Sequence, residues 1–323
     1  MTLMPFLCLG IGLFIGFRKL SQSLLSKIDV VINIALIILM LTIGLNIGIN
    51  EHVMLNLYSI GFNCLVIALC AIAFSVLFTV ILEKTILPLT SFKEKIHTKN
   101  INIKSEIDIS EENIKKTSPL IWIMPASIVS GIIIGYFFMP SYLTFILDYL
   151  LISSLVILYI GVGISLGSNI EVFKYVKILG FRVLYISVAI FVGSIIGGLV
   201  SGILLHLSLH VSIMSAVGMS YYSLTGAYMT QVYGIEAGTY GFIVNVMREF
   251  FTVLLLPLLI KISNGSPIAG GAAGNMDTML VPITKFVGVE IGLVTLITGV
   301  VLTFIVPLIL PLLYGLFVNF LPF

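Results

Sequence analysis

The sequence predicts an all-α polytopic membrane protein with about eight transmembrane helices plus two re-entrant helical hairpins, built from inverted repeats. Three observations carry that prediction. Of 323 residues, 59% are hydrophobic and only 9% are charged, with a mean hydropathy of +1.21. Water-soluble domains do not have this composition. Two apolar stretches are broken by Gly, Ser, Thr, Asn or Pro, and two internal repeats run without gaps.

Continuous apolar segments lie at about 2–17, 28–50, 57–82, 119–139, 143–167, 183–205, 238–260 and 288–317. Each is near the length needed to cross a hydrocarbon core of roughly 30 Å. The N-terminus has no basic n-region, and Arg18 and Lys19 follow its apolar stretch, so it reads as a first membrane helix and not a signal peptide. The broken stretches are 207–234 and 266–285. Irregular backbone at membrane depth survives only inside protein or beside a water-filled cavity, which makes both candidate re-entrant hairpins.

Positive charge orients the chain. Arg18, Lys19 and Lys27 follow the first segment, seven lysines lie in 83–118, and Lys174, Lys177 and Arg182 follow the fifth segment. Residues 51–56 and 140–142 carry no Lys or Arg. The positive-inside rule then places both termini outside and the 83–118 linker in the cytoplasm. Re-entrance of 207–234 keeps Lys261 and Lys285 cytoplasmic as well, whereas a full crossing there would send Lys261 outside.

Shifted by 119 residues, Gly12, Gly16, Asp29, Gly44, Gly48, Asn50, Gly61 and Phe62 fall on Gly131, Gly135, Asp148, Gly163, Gly167, Asn169, Gly180 and Phe181. A three-helix unit is odd, so its second copy is upside down, as in many secondary transporters. Shifted by 54, Gly234, Glu236 and Gly238 fall on Gly288, Glu290 and Gly292, and Leu256-Pro257-Leu258-Leu259 falls on Leu310-Pro311-Leu312-Leu313. In this register Ser223 matches Asp277, which brings two hairpin tips together near the midplane. The organisation is therefore a first three-helix repeat (1–82), a charged cytoplasmic linker (83–118), a second, inverted repeat (119–206) and a transport region (207–323).

Polar groups in the apolar segments mark the candidate site. Arg248 and Glu249 sit mid-segment in 238–260, where a charge costs roughly 2.5–3.5 kcal/mol on insertion scales. They form either a structural ion pair or a site for a charged solute or proton. Asn245 lies one turn before Glu249 on the same helical face. Asp277 and Asn275, with Gly274 beside them, occupy the second tip, where Asp277 is either a helix cap or a ligand. Tyr221, Tyr222, Ser223 and Thr225 occupy the first; hydroxyls there bind solute or join helices. Asn46 either lines a pathway or fixes helix packing, and Glu51 near the outer mouth reads as a residue of a solvated loop. Asp29 and Asp148 read as helix-start residues. Cys8, Cys64 and Cys70 lie in apolar segments without metal-ligand spacing, so no metal, cofactor or disulfide is expected. The net charge of +2 gives no reason to expect nucleic acid.

The segments YYSLTG (221–226), Asn245-x-x-Arg248-Glu249, LLLPLLIK (254–261) and GGAAGNMDTMLVP (270–282) resemble the signature of the LysO-type lysine exporters of bacteria and archaea. The resemblance is specific over 212–285 and general over the first 200 residues. It implies a non-enzymatic exporter of L-lysine and close analogues, multi-pass in the cytoplasmic (inner) membrane, with Glu249 and Asp277 on the motif's acidic positions and Asn46 or Glu51 as a further site residue near the end of the second helix. Where the family carries Trp-Tyr-Ser, this chain has Tyr221-Tyr222-Ser223. Expected partners are L-lysine and membrane lipid, with homo-oligomerisation left open, and proton or sodium as coupling ion. Open alternatives are a carrier of the same architecture for an anionic solute, using Arg248, and a channel. An intramembrane aspartyl hydrolase would need a second midplane aspartate, which the sequence does not offer.

Overall fold

The computed structural model describes residues 3–18, 21–89, 126–139, 144–168 and 179–320, with 123 and 176 in isolation. The described residues contain helices and turns and no strand. In chain order the helices are α1 (Met4–Gly16), α2 (Gln22–Ile49), α3 (Glu51–Leu55), α4 (Leu57–Thr85), α5 (Ala126–Phe137), α6 (Thr144–Ser168) and α7 (Leu184–Leu204). They continue with α8 (Leu209–Val217), α9 (Tyr222–Tyr233), α10 (Ile235–Ile262), α11 (Gly265–Gly271), α12 (Leu280–Val287) and α13 (Val289–Phe320).

Among the described residues six helices are long and apolar enough to cross a membrane: Ser23–Ile49, Leu57–Thr85, Thr144–Ser168, Phe181–Leu204, Ile235–Ile262 and Ile291–Asn319. The other two expected spans contribute shorter helices among the described residues. The helical part of the first is the 13-residue α1, and that of the fourth is α5. Residues 119–122 of the fourth expected span, Asn169 of the repeat, and positions 90–118 of the expected linker lie outside the described residues. The start of that linker belongs to the folded body: α4 runs on to Thr85, and Leu87 and Leu89 are buried.

Local chemistry sets the boundaries. The Ser21 hydroxyl accepts from Leu24 N–H and starts α2, six residues before the apolar segment begins. Asp29 is therefore not a cap; it sits in the second turn of the helix. Asn50 ends α2, and its Oδ1 accepts from Val53 N–H at 2.9 Å to start α3. Gly234 and Gly288 have φ of +90° and +91°, a conformation that disfavours other residues, and they let α10 and α13 follow α9 and α12 with no further linking residue.

Close backbone contact at glycine organises one side of the molecule. α1 packs on α6 and α2 on α5. Gly12 lies against Gly163 and Gly16 against Gly167; Gly44 lies against Gly131 and Gly48 against Gly135. A Cβ at any of these positions would run into the facing backbone. Small residues let membrane helices approach this closely, where dispersion and lipid entropy replace the hydrophobic effect. On the other side α4 packs on α7, with Gly193 against Ser75 and Gly197 against Ala71. The Ser75 and Ser194 hydroxyls, 119 residues apart, hydrogen-bond each other at 3.2 Å.

The two glycine-containing stretches are each helix, break, helix. In the first, Met219 and Ser220 have φ of +49° and +73° between α8 and α9; in the second, Ala272 has +49° at the end of α11. The breaks touch: Ala273 N–H donates to Met219 O at 2.9 Å. The ends of the first stretch also meet, with the His210 and Tyr233 rings 4.7 Å apart. The second stretch starts where α4 ends, since Gly265 N–H donates to Glu83 Oε2 at 3.2 Å.

Replacing Gly163 or Gly44 by Leu should destabilise the protein by about 1–3 kcal/mol, the usual range for overpacking, or by more because the obstacle is backbone. Thermal unfolding in detergent measures it, with Gly61→Leu, which has open space around it, as the neutral control.

Candidate functional site

Where the two breaks meet, a cavity of about 320 Å³ opens between α2 and α6 on one side and the breaks, α10 and α13 on the other. Among the described residues its charged lining consists of three carboxylates, Asp29, Glu249 and Asp277, with no basic side chain. Hydroxyl and amide groups of Asn33, Ser165, Ser220, Tyr221, Tyr222, Ser223, Thr278 and Thr303 complete the polar lining. Leu36, Leu158, Val162 and Phe304 supply apolar wall.

Thr278 joins two of the carboxylates. Its N–H and hydroxyl donate to Asp277 Oδ1, the hydroxyl at 3.2 Å, and its side chain also hydrogen-bonds Glu249. Asp277 does not cap α12, whose N-cap residue is Met279. Its carboxylate faces the cavity. Asp29 stands at the exposed rim, in the N-terminal part of α2.

Of the residues singled out by sequence, Tyr221, Tyr222, Ser223, Glu249, Gly274 and Asp277 line this cavity together. Arg248, Asn245, Asn275, Thr225, Asn46 and Glu51 do not. Glu51 is exposed on α3. Asn46 has a buried Nδ2 with no hydrogen-bond partner among the described residues. Thr225 is fully buried and its hydroxyl donates to Tyr221 O at 2.8 Å, back-bonding within α9.

Arg248 is neither in an ion pair with Glu249 nor in the cavity wall. It is fully buried, and its five N–H donors meet five acceptors. Nε donates to Gly270 O at 3.2 Å; Nη1 to Ser194 Oγ at 2.8 Å and Ala216 O at 3.4 Å; Nη2 to Ser75 Oγ at 3.0 Å and Ala269 O at 3.1 Å. One guanidinium thus ties α4, α7 and both broken stretches to α10. The three carbonyls lie in the last turns of the short helices α8 and α11, which carry the negative ends of their dipoles.

Asn245 and Asn275 repair the breaks. Asn245 accepts from Ser220 N–H at 2.8 Å and donates to Ser215 O and Gly241 O at 2.9 and 2.7 Å. That supplies partners for backbone groups a helix would have satisfied. Asn275 Nδ2 donates to Ile268 O at 2.8 Å in the second stretch.

Sequence reasoning passed over Asp29, Asn33, Thr278 and Thr303. Asp29 could have been found from Ser21, a good N-cap that moves the helix start ahead of it. Asn33 and Thr303 are single polar residues in apolar runs and carried no separate signal, and Thr278 stood in the shadow of its neighbour Asp277.

The helices and the site define a class: a multi-pass membrane protein with a solute-sized acidic cavity between broken helical stretches. Within that class, the pattern of the lysine exporter LysO family matches residues 6–96 and 126–314, and the chain belongs to that family. It is similar to lysine exporter LysO of Escherichia coli (strain K12), 26% identical over 157 residues, which cover 49% of this chain and 52% of the relative. The chain thus spans about half the length of that curated relative. No solved structure matches.

Removing the junction should be costly. Ser75→Ala should lower stability by about 1.5–3 kcal/mol, the range for a hydrogen bond to a charged group. Arg248→Leu should cost more, because it removes five hydrogen bonds at once. Thermal unfolding in detergent checks both, and an Arg248→Leu protein as stable as the unaltered one would refute the junction's structural role.

Proposed function

We propose that this protein is a secondary active transporter that exports L-lysine across the cytoplasmic membrane in exchange for protons or sodium ions. The observation that carries this reading is the cavity lining: three carboxylates and no cation among the described residues, in a chain of the lysine exporter family. Lysine brings two ammonium groups and one carboxylate. Glu249, Asp277 and Asp29 offer more anionic contacts than the ammonium groups need, leaving one carboxylate to exchange an ion. The lysine carboxylate finds donors in the Ser223 hydroxyl and in the uncapped N-terminus of α9, whose first residues line the cavity. An anionic solute would need a free cation at this place. Arg248, the nearest in sequence, has all its donors engaged.

In this reading the chain makes eight crossings and two re-entrant hairpins, and the 119- and 54-residue repeats are inverted. Four observations support it. The ring contact of His210 with Tyr233 closes the base of the first hairpin. Tyr314, near the end of α13, stacks on Tyr233 with centroids 5.3 Å apart, so α13 ends where the first hairpin starts, and the second hairpin enters from the other face. Ser75 pairs with Ser194, its own mate at 119 residues. Met219 pairs with Ala273, its own mate at 54 residues. Self-pairing of mates is what an approximate two-fold axis through the cavity floor produces.

The positive-inside rule puts the N-terminal end of α2, with Arg18 and Lys27 nearby, in the cytoplasm. Asp29 at the rim then faces cytoplasmic lysine. A membrane potential negative inside opposes the outward move of a cation by about 2.3 kcal/mol per 100 mV, and the inward move of a proton or sodium ion offsets this.

Glu249→Gln and Asp277→Asn should each lower export of labelled lysine from proteoliposomes by about tenfold or more, the equivalent of one lost contact of about 1.4 kcal/mol, without loss of folded protein. Export should also rise with an inward proton or sodium gradient. Full transport in both variants would remove the carboxylates from the site, and indifference to both gradients would remove antiport by these ions.

A further inference from the structure

A chain of aromatic rings leads from the cavity to the far end of the molecule. Tyr221 lines the cavity. Tyr159, on α6, lies near both Tyr221 and Tyr228 where α6 packs on the first broken stretch. The Tyr228 ring stacks edge-on against Tyr314, with centroids 6.4 Å apart, and Tyr314 against Tyr233 at 5.3 Å. Tyr233 meets His210 at 4.7 Å. Three residues past Tyr233, Glu236 faces His52 at 3.6 Å, just beyond the C-terminal end of α2. The ring chain thus ends opposite Asp29, which stands near the start of α2.

Exposure varies along this chain in a telling way. Tyr221 is half-buried at the cavity, Tyr159 and Tyr228 are 0% and 1% exposed in the middle, and Tyr314, Tyr233 and His210 are half-buried at the far end. The two middle residues keep a feature that packing alone does not explain. The hydroxyls of Tyr159 and Tyr228 are buried and have no hydrogen-bond partner among the described residues. A buried hydroxyl without a partner costs free energy, and phenylalanine would fill the same space without that cost. Tyrosine at both points is accounted for if the partners are water or a polar solute, present when this part of the molecule is open. Aromatic faces suit an ammonium group in particular, since the ring quadrupole attracts a cation.

We propose that Tyr221, Tyr159, Tyr228, Tyr314 and Tyr233 line the outward half of the transport path, closed in this conformation at Tyr159 and Tyr228. The inference rests on the transport reading above and extends it from the binding cavity to the exit. In the open conformation the phenol hydroxyls pass the ammonium group from one to the next, and the rings screen it from lipid. When closed, the same rings pack against one another and seal the cavity. The path takes a primary ammonium on a flexible apolar stem, and its five tyrosines offer no positive charge to a carboxylate-only solute.

The test compares Tyr159→Phe and Tyr228→Phe with unaltered protein, by thermal unfolding, by stabilisation on adding lysine, and by export of labelled lysine from proteoliposomes. Melting should be unchanged or raised and lysine stabilisation retained, while export falls by about fivefold or more, a barrier effect without a binding effect. Export close to the unaltered level in both variants would overturn the path, because packing is then the only role of these side chains. A second arm does not depend on the substrate. Tyr228→Cys, in a background with Cys8, Cys64 and Cys70 each changed to Ala, is exposed to a membrane-impermeant methanethiosulfonate at the outer face. Modification supports the path, and a cysteine that stays unreactive there overturns it. If unaltered protein neither binds nor exports lysine yet Tyr228→Cys is modified, lysine is the wrong solute and the path stands.

Discussion

Everything in the core turns on where one guanidinium puts its five protons. A buried arginine is among the most expensive residues to place in an apolar medium, and it remains charged there. Here the cost is met without a counter-carboxylate. Two serine hydroxyls and three carbonyls surround Arg248, and the carbonyls sit at the ends of two short helices. Those helices stop where they do because the chain breaks at Met219–Ser220 and at Ala272. The breaks create free carbonyls, and the arginine consumes them. With Arg248 engaged in this way away from the cavity, its neighbour Glu249 faces the cavity with Asp29 and Asp277.

The arginine also sorts the helices into two groups. α4, α7, α10 and both broken stretches are held through its hydrogen bonds. α1, α2, α5 and α6 are held to one another by glycine-to-glycine backbone contact and share none of the Arg248 bonds. The acidic cavity lies on the border between the groups, with Asp29 and Asn33 from one and Glu249 and Asp277 from the other. In the proposed function a solute there bridges the two groups, and rearrangement of one against the other changes its surroundings without breaking the junction.

Much of this arrangement was legible before any coordinates. A charge inside an apolar run, and glycine, serine and asparagine in stretches too irregular to be plain helices, pointed to Glu249, Asp277 and the Tyr221–Ser223 segment, and these do share a cavity. What was not legible was the role of Arg248. Its partners are serines within ordinary apolar helices and backbone carbonyls, and neither has a sequence signature. The one available clue was numerical: Ser75 and Ser194 stand 119 residues apart, in the register of the glycines. Asn245 and Asn275 were recognised as polar residues at the right depth, but a side chain that binds solute and one that repairs a broken backbone look alike in one dimension. Asp29 was misjudged because the polar first turns of α2 precede its apolar run.

The arrangement of Arg248 has a consequence for how the chain is made. Ser75, Ser194 and Ala216 are synthesised before the arginine, while Ala269 and Gly270 follow it by 21 and 22 residues. When α10 first enters the bilayer, its arginine carries an insertion penalty of roughly 2.5–3.5 kcal/mol that α4, α7 and α8 can relieve only in part. The remaining two acceptors arrive with α11. Biogenesis of this protein is therefore ordered by one side chain: the N-terminal helices must be in place to receive α10, and the junction closes only when the second broken stretch has left the ribosome.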